Sequence, residues 1–111
     1  MDFKLHFHLL AADQFENVLA AHAACESIRV AFREKVHNRH GTIEHFKDYL
    51  QTSEFLEAAS EFQHICWMKR NKDKTWVLQE QLLPYAELST EEKDKDRAIV
   101  IEAVKEFLAG L

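Results

Sequence analysis

The residues with the strongest claim to chemistry lie between two tryptophans, in the run Trp67-Met-Lys-Arg-Asn-Lys-Asp-Lys-Thr-Trp76. Lys69, Arg70, Lys72 and Lys74 are positive there and only Asp73 opposes them, in a chain whose net charge is -5 at pH 7. An indole face takes a base, and cations at its edge take a phosphate, so this pattern fits a site for a nucleotide or another anionic small molecule. The same cations are also what a helix C-terminus attracts through its dipole, and on that reading the run is a solvated loop.

The histidines invite a metal reading. His6 and His8 would share one face of a strand, but two ligands are too few for zinc, and solvated face residues account for them. His37, His40 and His45 fall near one junction with Glu44; no carboxylate that would orient their rings can be picked out, so no high-affinity metal site is expected. His22 stands in line with Phe15, Val18 and Cys25 and reads as a core-edge histidine with one hydrogen-bond partner. Cys25 and Cys66 are far apart, with no CxxC spacing, and read as two reduced, buried thiols of an intracellular protein. Glu91-Glu92 and Asp94-Asp96 sit at a helix start, where carboxylates complement the dipole. The chain has no Gly-rich phosphate loop, HExxH or GxSxG, and only two glycines. A non-catalytic protein with no cofactor is therefore expected.

Helices must position these groups. The chain has 111 residues, 47% hydrophobic and 30% charged, with one proline, which fits a single globular domain over 1–111. Phe15, Val18, Leu19, Cys25, Ile28, Phe32 and Val36 recur at helical spacing, and Gly41 is the natural stop after them. Ile43, Phe46, Tyr49 and Leu50 make a second apolar stripe. Thr52 or Ser53 caps a third segment through Phe55, Leu56, Ala59, Phe62, Ile65 and Cys66, and the two segments read as two helices or one bent one. Ser89 and Glu92 form a capping box ahead of Val100, Ile101, Val104 and Leu108. The prediction is an all-α bundle of about four helices, near Ala12 to His37, Ile43 to Leu50, Glu54 to Arg70 and Thr90 to Ala109. Phe3, Leu5, Phe7 and Leu9 alternate with polar residues; they read as a short strand, paired near Thr75 to Leu78, or as an arm across the bundle. No apolar run is long enough to span a membrane, the acidic charge disfavours nucleic acid, and a cytoplasmic location is expected.

One stretch resembles a known family. Ala59-x-x-Phe62-x-His64-x-x-Trp67, then Trp76, then Leu83-Pro84-Tyr85-x-x-Leu88-x-x-x-Glu92-Lys93-x-x-Asp96-Arg97 is similar to the ryanodine-receptor repeat (the RyR domain), over roughly residues 53–108. The loop departs from that pattern: Thr75 stands where the family usually has Gly, and Val77-Leu78 where it has Tyr-Gly. The resemblance implies a small, helical, non-catalytic module with a sensing or regulatory role, in some relatives involving nucleotides. Arg97 is expected to reach back to the region of Trp67 and Tyr85. A ligand-binding module would then gather Trp67, Lys69, Arg70, Trp76, Tyr85 and Arg97 into an aromatic, basic pocket. A protein that binds a protein partner or a second copy would show an apolar patch instead, drawn from Phe3, Phe7 and the long first helix.

Overall fold

Hydroxyl side chains fix where three of the helices begin. In the computed structural model, which describes residues 12–37 and 41–110, the elements are α1 (Ala12–Phe32), a π-helical turn (Arg33–His37), α2 (Ile43–Leu50), α3 (Ser53–Asn71), 3-10 turns at Gln79–Leu82 and Tyr85–Glu87, and α4 (Thr90–Ala109). Thr42 Oγ1 accepts the His45 amide at 3.1 Å and opens α2. Thr52 Oγ1 accepts the Phe55 amide at 3.2 Å and donates to the Tyr49 carbonyl at 2.7 Å, so one residue closes α2 and opens α3. That junction makes two helices. Ser89 Oγ accepts the Glu92 amide at 3.2 Å, but the expected return from Glu92 is not made. Its carboxylate binds Lys95 Nζ at 2.9 Å instead, because an ammonium one turn along is a better partner than an amide that water can reach.

The all-α bundle agrees with the sequence reading, and no strand occurs among the described residues. Thr75 to Leu78 is turn, with the Val77 amide on the Lys74 carbonyl at 3.3 Å. The alternating Phe3 to Leu9 stretch lies outside the described residues. α1 packs on both α3 and α4, which also pack on each other. The shared core is Ala24, Ile28, Ala31, Phe46, Leu50, Phe55, Ala59, Val100 and Val104. Phe46 is its centre, with Phe32 and Phe107 edge-on at 5.4 and 5.8 Å.

The buried line of α1 differs from the expected one. Ala20, Ala23, Ala24, Ile28 and Ala31 face inward, while Cys25 and His22 are exposed and Phe32 is 40% exposed. A helix wedged between two others presents its smallest side chains where the backbones approach, and larger ones fit only at the margins. The thiols are accordingly not a buried pair: both are free, with Cys25 exposed and Cys66 half-buried.

Gly41 does more than end a helix. A Cβ there would collide with the Lys35 carbonyl oxygen of the π turn, so the chain passes that turn at a distance only glycine permits. Ser89→Ala is expected to cost about 1 kcal/mol, the usual loss of one N-cap. Gly41→Ala is expected to cost on the order of 1 to 3 kcal/mol by overpacking. Urea unfolding followed by circular dichroism gives both values.

Candidate functional site

The pitch of α3 carries Gln63, His64 and Trp67 onto one side of the helix, and the turn after it brings Trp76 back against Trp67. The two indoles meet at 69° with their centroids 6.3 Å apart, forming an aromatic corner. Glu92, Lys95, Asp96 and Ile99 of α4 close the other side of a cleft of about 270 Å³, with Ala20 and Gln81 at its margins. Trp76 is 56% exposed and forms the mouth.

The floor of the cleft is polar and buried. Gln63, 2% exposed, donates from Nε2 to Asp96 Oδ1 at 2.8 Å, and its own Oε1 is buried without a hydrogen-bond partner among the described residues. His64 Nε2 lies 2.8 Å from the Leu83 carbonyl, which can only accept, so this nitrogen carries a proton. Its Nδ1 faces Asp96 Oδ2 at 3.8 Å. One further proton, on either side of that gap, turns two facing acceptors into an attractive pair. Burial pushes the Asp96 carboxyl above the usual aspartate range, against the opposing pull of the Gln63 hydrogen bond and of His64.

The six residues proposed from the sequence divide into two groups. Trp67 and Trp76 form the cleft. Lys69 is exposed and Arg70 half-buried in the last turn of α3, and neither is among the described residues that line the cleft. Of the basic run, Lys74 has a contact with an indole, its Nζ standing 5.8 Å over the Trp76 ring. Among the described residues the cation in the cleft lining is Lys95, which local sequence did not single out.

Tyr85 and Arg97 meet elsewhere, on Glu57 of α3. Tyr85 Oη donates to Glu57 Oε2 at 2.6 Å. Arg97 Nε and Nη2 reach Oε1 of the same carboxylate at 2.8 and 2.7 Å, and Nη1 reaches Asp94 Oδ1 at 3.0 Å. The Tyr85 hydrogen bond, with help from Arg97, holds Glu57 below the usual carboxylate range. Burial and the bond to that carboxylate push the Tyr85 phenol up to about 12. Arg97 therefore serves the Tyr85 region but not Trp67, and its partner is not the adjacent Asp96, which turns inward. Glu57 was missed because it lies 28 and 40 residues from its partners, beyond any local pattern.

Other expectations have their own places. His45 is exposed, and His40 and the His37 side chain lie outside what is described. Among the described residues no three His, Cys, Asp or Glu side chains converge as a metal site, and no helix is long and apolar enough to cross a membrane. A larger apolar hollow of about 850 Å³ runs between α1 and α4, past Cys25, Ile28, Phe32, Ile99 and Phe107. Comparison with protein-family models, curated proteins and solved structures finds no match to this chain.

Two expectations follow from these contacts. Folding tightens the hold of Asp96 on its proton, so its favourable contribution is complete below the ordinary aspartate range and is lost as pH rises through the raised value. Asp96→Asn should therefore gain stability relative to the parent protein as pH increases, which urea titrations across a pH series will show. Tyr85→Phe should cost about 1 to 2 kcal/mol by removing a bond to a charged acceptor. Arg97→Ala should cost less than Tyr85→Phe, because the Glu57 and Asp94 side chains are 42% and 63% exposed and water can replace the guanidinium.

Proposed function

We propose that the protein is a non-catalytic ligand-binding module of the ryanodine-receptor-repeat kind, with the cleft between Trp67 and Trp76 as its ligand site. Gln63 Oε1 carries the reading: a buried acceptor without a donor beside an aromatic cleft. Leaving such an atom unpaired costs about 1 to 3 kcal/mol, which a group bound in the cleft recovers.

A catalytic reading has less support. His64 and Asp96 face each other as a base and its orienting carboxylate do in hydrolases, but both are buried, and His64 Nε2 is committed to the Leu83 carbonyl. The other ring nitrogen, Nδ1, is turned towards Asp96 at 3.8 Å. The Nε2 bond to Leu83 ties the cleft floor to the connection before α4, which is where occupancy of the cleft can be passed on in a regulatory role.

A nucleotide is the ligand class that the sequence suggests. Its base would rest on the indoles, with its phosphate outside near Lys74 and Lys95. The cleft falls below the roughly 300 to 1,000 Å³ of sites that enclose a drug-sized molecule, so a ring or head group enters and the remainder stays at the mouth. Affinity in the micromolar to millimolar range is expected, because no Gly-rich backbone cradle contributes. The test is tryptophan emission and melting temperature during titration with ATP, ADP, NAD, cyclic nucleotides and small amines. A saturable change that Trp76→Ala abolishes supports the site. Silence from every ligand removes it and favours a protein partner on the apolar hollow between α1 and α4.

A further inference from the structure

The cleft wall has a definite polarity. Two buried acceptors belong to its lining: Gln63 Oε1, without a donor among the described residues, and the Asp96 carboxylate, whose residue is 6% exposed. The Gln63 amide nitrogen, which could have served a ligand acceptor, is spent on Asp96. Glu92 adds a second carboxylate to the lining, against one ammonium from Lys95. That ammonium is bound to Glu92 at 2.9 Å, and its side chain is 66% exposed, so its charge sits at the rim.

These groups repel a phosphate and favour a cation. An indole face attracts an ammonium or guanidinium through its quadrupole, and Trp is the best of the aromatic side chains at this. Trp76 already holds one, the Lys74 ammonium, at 5.8 Å. The unpaired amide oxygen, buried at the cleft floor, and the neighbouring carboxylate both accept N–H, and a hydrogen bond from a charged donor is the stronger kind. Burial disfavours the ionised form of Asp96, and a bound cation is what would restore it. The volume of about 270 Å³ suits a head group with a short chain.

We propose that the cleft is specific for a small organic cation, an alkylammonium or guanidinium head group, which stacks in the Trp67–Trp76 corner and donates N–H to Gln63 Oε1 and the Asp96 carboxylate. This rests on the cleft being the ligand site and replaces the anion suggested by the sequence with a cation as the group that enters it.

The experiment titrates the full chain with agmatine and putrescine, and separately with AMP and inorganic phosphate, at fixed ionic strength, following tryptophan emission and heat. Agmatine or putrescine should bind saturably at one site, with AMP and phosphate at least about tenfold weaker. Gln63→Met and Asp96→Asn should each weaken amine binding by about tenfold or more, the loss of one charge-assisted hydrogen bond. Lys95→Ala should tighten amine binding and weaken any AMP binding. Lys95 is exposed, so this opposite response remains decisive if either buried variant fails to fold. AMP binding that Trp76→Ala abolishes, with both amines silent, would overturn the cation class and leave the site standing. No binding by any of the four probes would overturn both. Amine binding indifferent to Trp76→Ala and Lys95→Ala would overturn the cleft as its location.

Discussion

The hydrogen bond from Gln63 to Asp96 is the constraint on which the rest of the site depends. It crosses from α3 to α4 in a place where both residues are almost fully buried, and a carboxylate there must find partners inside the protein. The amide of Gln63 gives one, and the imidazole of His64 stands opposite the other oxygen. Satisfying Asp96 in this way uses the donor of Gln63 and leaves its acceptor open. The same contact joins α4 to α3 beside Glu92 and Lys95, which line the cleft, while Arg97 bridges the two helices away from it.

Around that seam the fold works by a division of labour. Apolar contacts centred on Phe46 hold the lower part of the bundle, and the alanines of α1 let α3 and α4 come close. The connection from α3 to α4 buries Tyr85 and Leu88 but leaves Trp76, Leu78 and Leu83 exposed, and polar contacts help to hold it. His64 anchors Leu83, and Glu57 gathers Tyr85 and Arg97. Thus neighbouring residues part: Tyr85 and Arg97 converge on one carboxylate, while Asp96 lines the cleft. The Glu57 contacts form a frame, and the cleft opens beside it.

The separation of Trp67 and Trp76 from Tyr85 and Arg97 explains why local composition misplaces charge. Lys69, Arg70, Lys72 and Lys74 crowd the tryptophans in sequence, yet the helix pitch and the turn after it direct Lys69 and Arg70 away from the cleft. The acidic residues that line it come from a helix that starts fourteen residues after Trp76. A run that is basic along the chain therefore borders a site that is acidic in space. The electrostatics of a cleft belong to whichever elements meet there.

What the sequence determined by itself was local. Thr42, Thr52 and Ser89 mark helix starts because an N-cap needs only its own next few amides, and α2, α3 and α4 begin at these residues. The helical character of the chain follows from its spacing of apolar residues and its shortage of Gly and Pro. Which face of α1 would be buried did not follow, because alanine gives a weak pattern and the choice depends on how closely two other helices approach. Tertiary structure alone decided that Glu57 would join Tyr85 to Arg97, that Asp96 would turn inward to Gln63 and His64, and that Gln63 would line the same cleft as two indoles. The physical reason is the same in each case: buried polar groups take the partner that packing puts within 3 Å or so, and sequence distance has no part in that choice.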